Sequence, residues 1–223
     1  IGITTLGISE AILRLIYQPL EIFVYSEVLP ALSEQHFKIR YLQSYDKQRL
    51  PLKEYEPNLG WDSHLENDGI RPPPMRPEKT SDGNIHRIAF IGDSFIRGAE
   101  VEATETAAHL IGKKCSNFES LNFGADAYGI DQMAMKFLWR VVDYGPDTLV
   151  FAIHPADYER SGLSFFTYPK PKYQAVGNGK FKIQGQPVPR PDEVYERLER
   201  ELIWFPYTAG AILKTLAHSK LTN

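Results

Sequence analysis

Ser94 is the residue of this chain whose type and position most directly suggest covalent chemistry. It ends the tripeptide Gly92-Asp93-Ser94, which follows the apolar run "RIAFI" at 87–91. A strand over that run would place Ser94 at a helix start, where backbone N–H groups are free and the dipole favours negative charge. Such a position suits a nucleophile whose reaction passes through an oxyanion. A serine after a strand is also a common helix N-cap, so the tripeptide alone is a weak signal.

Two further polar segments follow predicted strands. "GADAYG" comes after the strand "FESLNF", and "HPADYE" comes after the strand "DTLVFAI". In open parallel sheets, ligands bind at the carboxyl ends of the strands. We therefore expect both segments to lie beside Ser94.

The elements that must position these segments alternate between strands and helices. "ATETAAHLIGKK" and "IDQMAMKFLWRVVDYG" have helical character and separate the three strands. This order predicts a βαβαβ unit with a parallel sheet and right-handed crossovers. The third strand is almost continuously apolar, which predicts that it is covered on both faces.

The chain divides into three segments by composition. Residues 1–50 are predicted to be a helical, membrane-proximal segment, residues 51–86 a connector rich in Pro and Gly, and residues 87–223 the α/β domain. The first twenty residues are apolar but contain Glu10 and Arg14, too polar for an uninterrupted membrane span. They fit the lower end of a spanning helix and an amphipathic helix packed on the domain equally well.

Towards the C-terminus, the α/β domain is predicted to carry a hairpin and two more helices. Asn178-Gly179 lies between two alternating runs, which is a strong hairpin signal. "PDEVYERLERELIWF" and "TAGAILKTLAHSK" are the predicted helices. A further group of apolar residues has the spacing of a packed helix and needs no cofactor to explain it: Met133, Met135, Phe137, Leu138 and Trp139.

Composition excludes several classes of function. The 25 basic and 28 acidic residues give a formal net charge of −3, so no basic excess suggests nucleic acid. The single Cys115 excludes an internal disulfide, and no carboxylate or histidine spacing predicts a metal site. "GNGKFKIQG" lacks the spacing of a phosphate-binding loop. We therefore expect no cofactor and no metal.

Taken together, these motifs resemble the SGNH/GDSL hydrolase superfamily, particularly its bacterial membrane-anchored branch. "IGDSFIRG" is similar to the first conserved block of that family, "NFGADAYGIDQ" to the second, and "HPADYER" falls where the third belongs. The resemblance covers nearly the whole chain. It implies a flavodoxin-like three-layer α/β/α sandwich with an N-terminal helical extension. It also implies an extracytoplasmic, membrane-associated protein that hydrolyses or transfers acyl groups, often on carbohydrate.

The resemblance also implies roles for individual residues. Ser94 matches the nucleophile, and its backbone N–H together with that of Ala127 matches two oxyanion donors, although the family has Gly where this chain has Ala127. Ala156 stands where the family has an Asn side chain, so that donor is missing. Loss of one oxyanion donor costs on the order of 10²–10³ in rate. Asp157 follows in the expected place, but an ionised carboxylate cannot donate a hydrogen bond.

The family's general base, a His three residues after an Asp, has no counterpart in this sequence. None of the six histidines follows an Asp at that spacing; they are His36, His64, His86, His109, His154 and His218. His154 comes just after the third strand and is a possible neighbour of Ser94, although a loop histidine that caps the strand end fits it better. Without a base, the Ser94 hydroxyl stays protonated and is a weak nucleophile.

Two functional hypotheses follow. In the first, the chain is the front part of a serine esterase or acyltransferase acting on an acylated carbohydrate or another ester, and its Asp and His lie outside this chain. In the second, it is a catalytically degenerate scaffold or accessory subunit of a membrane-associated complex, bound to lipid or to a membrane protein through its N-terminal helix. Ala127 and Ala156 favour the second hypothesis, and Ser94 weakly favours the first.

Overall fold

The computed structural model describes residues 34, 37–38, 41–42, 54–64, 70–71 and 85–203. The chain forms two compact units. One comprises 50–164 and 169–189, and the other comprises 1–49, 165–168 and 190–223. The predicted helical segment 1–50 lies largely outside the described residues, as do the Pro72-Pro73-Pro74 run and the helix predicted over "TAGAILKTLAHSK". No helix in the described part is both long and apolar enough to cross a bilayer.

A three-stranded parallel sheet forms the centre of the unit that contains Ser94. The bounds of its strands are β3 His86–Ile91, β4 Phe118–Asn122 and β5 Thr148–Phe151, and their order is β4-β3-β5. Residue 88 pairs with residue 120 on one side and with residue 148 on the other. The chain is therefore a mixed α/β protein with the parallel sheet that the sequence predicts.

Helices connect these strands and flank the sheet. Their bounds are α1 Ser94–Arg97, α2 Ala107–Lys114, α3 Ile130–Trp139 and α4 Pro155–Ser161, with short 3₁₀ helices at Ala103–Glu105 and Val141–Tyr144. Thr106 caps α2, because its side chain accepts a hydrogen bond from the backbone N–H of His109. Gly145 ends the second 3₁₀ helix with a φ of +55°, a conformation that glycine adopts without strain.

The prediction that the third strand is covered on both faces is wrong. β5 has a hydrogen-bonded neighbour on one side only within the described sheet, and Thr148 and Val150 are exposed. The central strand β3, by contrast, buries Ala89 and Ile91 completely. A run of apolar, β-branched residues suits an edge strand and a central strand equally well, so the pattern did not distinguish them.

Two antiparallel pairs accompany the parallel sheet. β1 (Tyr55–Glu56) pairs with β2 (Gly60–Trp61) inside the segment that composition marked as a connector. β6 (Lys172–Gly177) pairs with β7 (Lys180–Gln184), which confirms the predicted hairpin. Its turn residues Asn178 and Gly179 have φ values of +51° and +68°, as a type I′ turn requires.

The helix α5 (Pro191–Ile203) belongs to the other unit. Its described residues carry an i,i+4 ion pair in which Arg197 Nε lies 2.8 Å from Glu201 Oε1. In the same unit, the ring of Tyr41 makes an edge contact with that of Phe165, their centroids 5.8 Å apart.

Buried ion pairs hold the core of the Ser94 unit together. Lys136 Nζ on α3 lies 2.6 Å from Asp62 Oδ1, and both side chains are fully buried. Lys170 Nζ lies 2.6 Å from Asp131 Oδ2 at the start of the same helix. Burial lowers the pKa of Lys136 and raises the pKa of Asp62, while each partner's charge opposes the shift of the other. These contacts fasten α3, which begins directly after the second polar segment, to its surroundings.

Candidate active site

Asp93 caps the single helical turn that begins at Ser94. Its Oδ1 accepts a hydrogen bond from the Phe95 backbone N–H at 2.9 Å, so Asp93, and not Ser94, is the N-cap of α1. Gly92 before it is required, because a Cβ there would lie 2.4 Å from Ile96 Cγ1. Since α1 has only four residues, its dipole is small. Any stabilisation of an oxyanion at Ser94 must therefore come from individual N–H groups.

Ser94 is half-buried at the carboxyl end of the central strand. Among the described residues, neither its backbone N–H nor its Oγ has a hydrogen-bond partner. The backbone N–H of Ala127 is likewise without a partner in the described part of the chain. Both N–H groups predicted to hold an oxyanion thus have no hydrogen-bond partner among the described residues.

The second polar segment packs tightly against α1. A Cβ on Gly124 would lie 2.2 Å from the backbone nitrogen of Arg97, so only glycine fits at this contact. Arg97 Nε also lies 2.6 Å from Asp126 Oδ1. Ala127, the next residue, has a φ of +60°. This left-handed backbone is the one that glycine adopts most easily.

The third polar segment forms a reciprocal cap at the start of α4. His154 Nδ1 accepts a hydrogen bond from the Ala156 N–H at 3.3 Å, and Asp157 Oδ2 accepts one from the His154 N–H at 2.7 Å. The His154 ring stacks on Phe95 with centroids 5.3 Å apart, so this histidine does lie beside the Ser94 turn. Its Nδ1 already accepts a hydrogen bond as part of this cap, so that nitrogen has a structural role at the start of α4.

One guanidinium connects all three polar segments. Nη1 of Arg160 lies 3.1 Å from Asp93 Oδ2, 2.9 Å from Asp157 Oδ1 and 3.3 Å from the carbonyl oxygen of Tyr128. Arg160 was not among the site residues predicted from the sequence. Arg160 follows Ala156 by four residues on α4, so the two residues lie on the same face of that helix. This i,i+4 spacing is the sequence signal that could have identified Arg160 as a site residue.

The Asp157 carboxylate serves the structure of the site. Its two oxygens accept hydrogen bonds from His154 and Arg160. Burial raises the pKa of Asp157, the His154 N–H lowers it, the charge of Asp93 raises it and that of Arg160 lowers it again. Asp157 therefore orients α4, and Ala156 beside it contributes no side-chain donor.

The described residues contain no group of three or more His, Cys, Asp or Glu side chains placed to hold a metal ion. Comparisons of the chain with protein-family models, curated proteins and solved structures find no match. After the central strand and after its neighbour β4, the described residues thus present a hydroxyl on Ser94 and unpartnered N–H groups on Ser94 and Ala127.

Proposed function

We propose that the three polar segments form the nucleophile and oxyanion part of an SGNH-type serine esterase or acyltransferase. The observation that carries the proposal is the half-buried Ser94 at the end of the central strand, with its own N–H and that of Ala127 available. The strand order β4-β3-β5 also supports the proposal. Counted along the chain within the parallel sheet, these strands are the second, first and third, which is the beginning of the flavodoxin-like order 2-1-3-4-5. The three-layer sandwich belongs to the same proposal.

In the proposed reaction, Ser94 Oγ attacks the acyl carbon of an ester while its proton passes to a general base. The carbonyl oxygen becomes an oxyanion that accepts hydrogen bonds from the N–H groups of Ser94 and Ala127. Collapse of the tetrahedral intermediate breaks the bond to the alcohol, such as a sugar hydroxyl, which leaves with the proton. Water then releases the acyl group, or a second hydroxyl receives it.

The general base in this proposal comes from outside the described residues. His154 Nδ1 already accepts a hydrogen bond from the Ala156 N–H, and the two Asp157 oxygens accept hydrogen bonds from His154 and Arg160, so both side chains serve the cap of α4. Since Ala156 replaces an asparagine, turnover is expected to be slower by a factor on the order of 10²–10³ than with all three oxyanion donors.

A fluorophosphonate probe on the full-length, folded protein tests this proposal. We expect a covalent adduct on Ser94, located by peptide mass mapping. Ser94→Ala should abolish the adduct, whereas Ser116→Ala, which changes an exposed serine elsewhere, should leave it unchanged. Ala156→Asn should accelerate labelling by restoring a donor. An unmodified Ser94 in protein that is shown to be folded would contradict the proposal.

The alternative is a degenerate SGNH-like protein that acts as a scaffold or accessory subunit of a membrane-associated complex. The links from Arg160 to Asp93, Tyr128 and Asp157 favour it, because they engage polar groups of all three segments in internal bonds. Placement outside the cytoplasm and association with a membrane through the N-terminal segment remain predictions. The alternative predicts no labelling of Ser94 and recovery of the protein in a complex after mild detergent extraction.

A further inference from the structure

The β6–β7 hairpin exposes an apolar face in the described structure. Cross-strand pairing joins Tyr173 to Ile183 and Ala175 to Phe181, so these four side chains share one face of the ribbon. Phe181 is 64% exposed and Ile183 36% exposed. Val176, at the bulge between Ala175 and Gly177, is 54% exposed. A two-stranded hairpin whose apolar face is not covered is unusual, since such ribbons are marginal on their own.

The opposite face of the hairpin is basic. Lys180 and Lys182 alternate with Phe181 and Ile183 along β7, and Lys172 stands at the start of β6. Neither Lys180 nor Lys182 has an ion-pair partner among the described residues. In the sequence, no Asp or Glu occurs between Glu159 and Asp192, although the chain as a whole is acidic. The hairpin is therefore a local positive region on a protein of net negative charge.

The base of the hairpin is anchored while its body is not. Before β6, the buried Lys170 Nζ binds Asp131 at 2.6 Å, and Lys172 Nζ donates to the carbonyl oxygen of Gly162 at 3.0 Å. After β7, the backbone N–H of Val188 donates to the carbonyl oxygen of Pro57 at 2.7 Å. At the turn, a Cβ added to Gly179 would meet no atom within 4 Å. The apolar face is thus presented from a fixed base.

We propose that this hairpin, residues 172–184, docks on an anionic lipid bilayer. The apolar side chains of Phe181 and Ile183 would enter the boundary between headgroups and acyl chains, while the long stems of Lys180 and Lys182 reach around the edge of the ribbon to acidic headgroups. The positive charge of the lysines favours a partner with an anionic surface. The exposed apolar face favours a surface that also has a hydrocarbon phase. The lysine ammonium group is a point charge and lacks the planar guanidinium with which arginine binds one phosphate or carboxylate in a bidentate manner. Lysines therefore fit a surface whose negative charge is spread over many headgroups. The proposal does not depend on whether Ser94 is catalytic.

A fluorescent label on the hairpin reports its contact with lipid separately from any contact made elsewhere in the chain. In a full-length Cys115→Ser background, Val176→Cys carries an environment-sensitive dye, and Val142→Cys carries it at another exposed site. We expect a blue shift of the hairpin dye with vesicles containing phosphatidylglycerol, quenching by lipids with spin-labelled acyl chains, and loss of both with phosphatidylcholine alone or at raised salt. The dye at residue 142 should not respond.

Two double variants separate the roles of charge and apolar contact. Lys180→Gln with Lys182→Gln should weaken partitioning about 25-fold, since each lysine near an anionic surface contributes about a factor of five. Phe181→Ser with Ile183→Ser should abolish acyl-chain quenching while the protein stays folded, because both side chains are exposed. Lys113→Gln with Lys114→Gln, an exposed basic pair on α2, makes the same charge change and should have no effect.

The competing partner is a soluble acidic polymer or protein. A hairpin dye that responds equally to dextran sulfate and to vesicles, with binding unchanged by Phe181→Ser and Ile183→Ser, would overturn the lipid proposal in favour of that partner. A hairpin dye that does not respond while the protein sediments with vesicles would also overturn it and would assign membrane contact to another part of the chain.

Discussion

Ala127 holds a backbone conformation that its own side chain disfavours. Its φ is +60°, and a left-handed conformation costs an L-residue about 1–2 kcal/mol. Glycine removes that cost but loses about 0.5–1 kcal/mol of chain entropy on folding. We therefore expect Ala127→Gly to raise the free energy of unfolding by about 0.5–1 kcal/mol, measured by urea denaturation.

Ala125→Gly is the matched control for this prediction. Ala125 lies in the same segment and is fully buried, but its φ is not positive. Here glycine adds entropy to the unfolded chain and removes a buried methyl group, so stability should fall by about 1 kcal/mol. If Ala127→Gly and Ala125→Gly lowered the free energy of unfolding equally, the backbone conformation at Ala127 would carry no strain.

Arg160 is expected to control both stability and its dependence on pH. Arg160→Gln leaves Asp157 buried without its cation and should cost about 2–4 kcal/mol at neutral pH. Burial already raises the pKa of Asp157 above 3.8, and loss of the Arg160 charge should raise it further. Between 3.8 and the raised value the folded state then binds more protons than the unfolded state, so stability falls as pH rises through this window.

The loss of unfolding free energy in Arg160→Gln, relative to the unmodified protein, should therefore be largest at pH values above the raised pKa of Asp157. It should become smaller at pH values below that pKa. Urea denaturation at about pH 4 and about pH 7 measures the difference. Arg160→Lys serves as the control, because it keeps a charge near Asp157 but cannot reach three partners, and its deficit should depend less on pH. A deficit that grows on acidification would contradict the assigned role of the guanidinium.

At the scale of elements, the attachment of α3 depends on a buried pair. Lys136 and Asp62 are both fully buried, so removing Lys136 leaves the Asp62 carboxylate with only the more distant Arg140, whose Nη1 lies 3.8 Å from Asp62 Oδ2. Lys136→Met alone should cost about 3–5 kcal/mol, whereas Lys136→Met combined with Asp62→Leu should recover much of that loss. A double-mutant cycle by urea denaturation should give a coupling energy of about 2–3 kcal/mol.

The pair Arg197–Glu201 on α5 is the comparison for this cycle. Its nitrogen and oxygen are 2.8 Å apart, but its side chains are 70% and 40% exposed. An exposed helix pair of this kind should couple by only about 0.3–0.5 kcal/mol. Similar coupling energies in the two cycles would show that burial does not determine the strength of the Lys136 pair.

The alternation of elements could be predicted from the sequence because periodicity and turn residues are local signals. The order of strands and helices and the hairpin at Asn178-Gly179 are of this kind. Burial at individual positions is set by long-range contacts and was not predictable. On α3, Leu138 is 58% exposed although it completes the apolar pattern, while Lys136 is buried because Asp62 lies opposite it. Arg160 was missed for the same reason, since its partners come from three separate segments.

At the scale of the whole molecule, we expect local stability to vary widely among the described elements. Strand β3 is paired on both sides, and its residues Ala89 and Ile91 are fully buried. The hairpin strands β6 and β7 pair only with each other and are largely exposed. Amides exchange through local opening unless a cooperative core protects them. Hydrogen exchange of the full chain should thus be slowest in β3, intermediate in β5 and fastest in residues 174–184.

The same exchange experiment has an internal control in β4. This strand also pairs with β3 but ends in the buried residues Ser120–Asn122, so its protection should exceed that of the exposed edge strand β5. If residues 174–184 exchanged as slowly as β3 in lipid-free protein, the hairpin would already be covered in solution, by another copy of the chain or by its own residues. Fast exchange that slows only when anionic vesicles are added would instead identify a ribbon that becomes stable when its apolar face is covered by lipid.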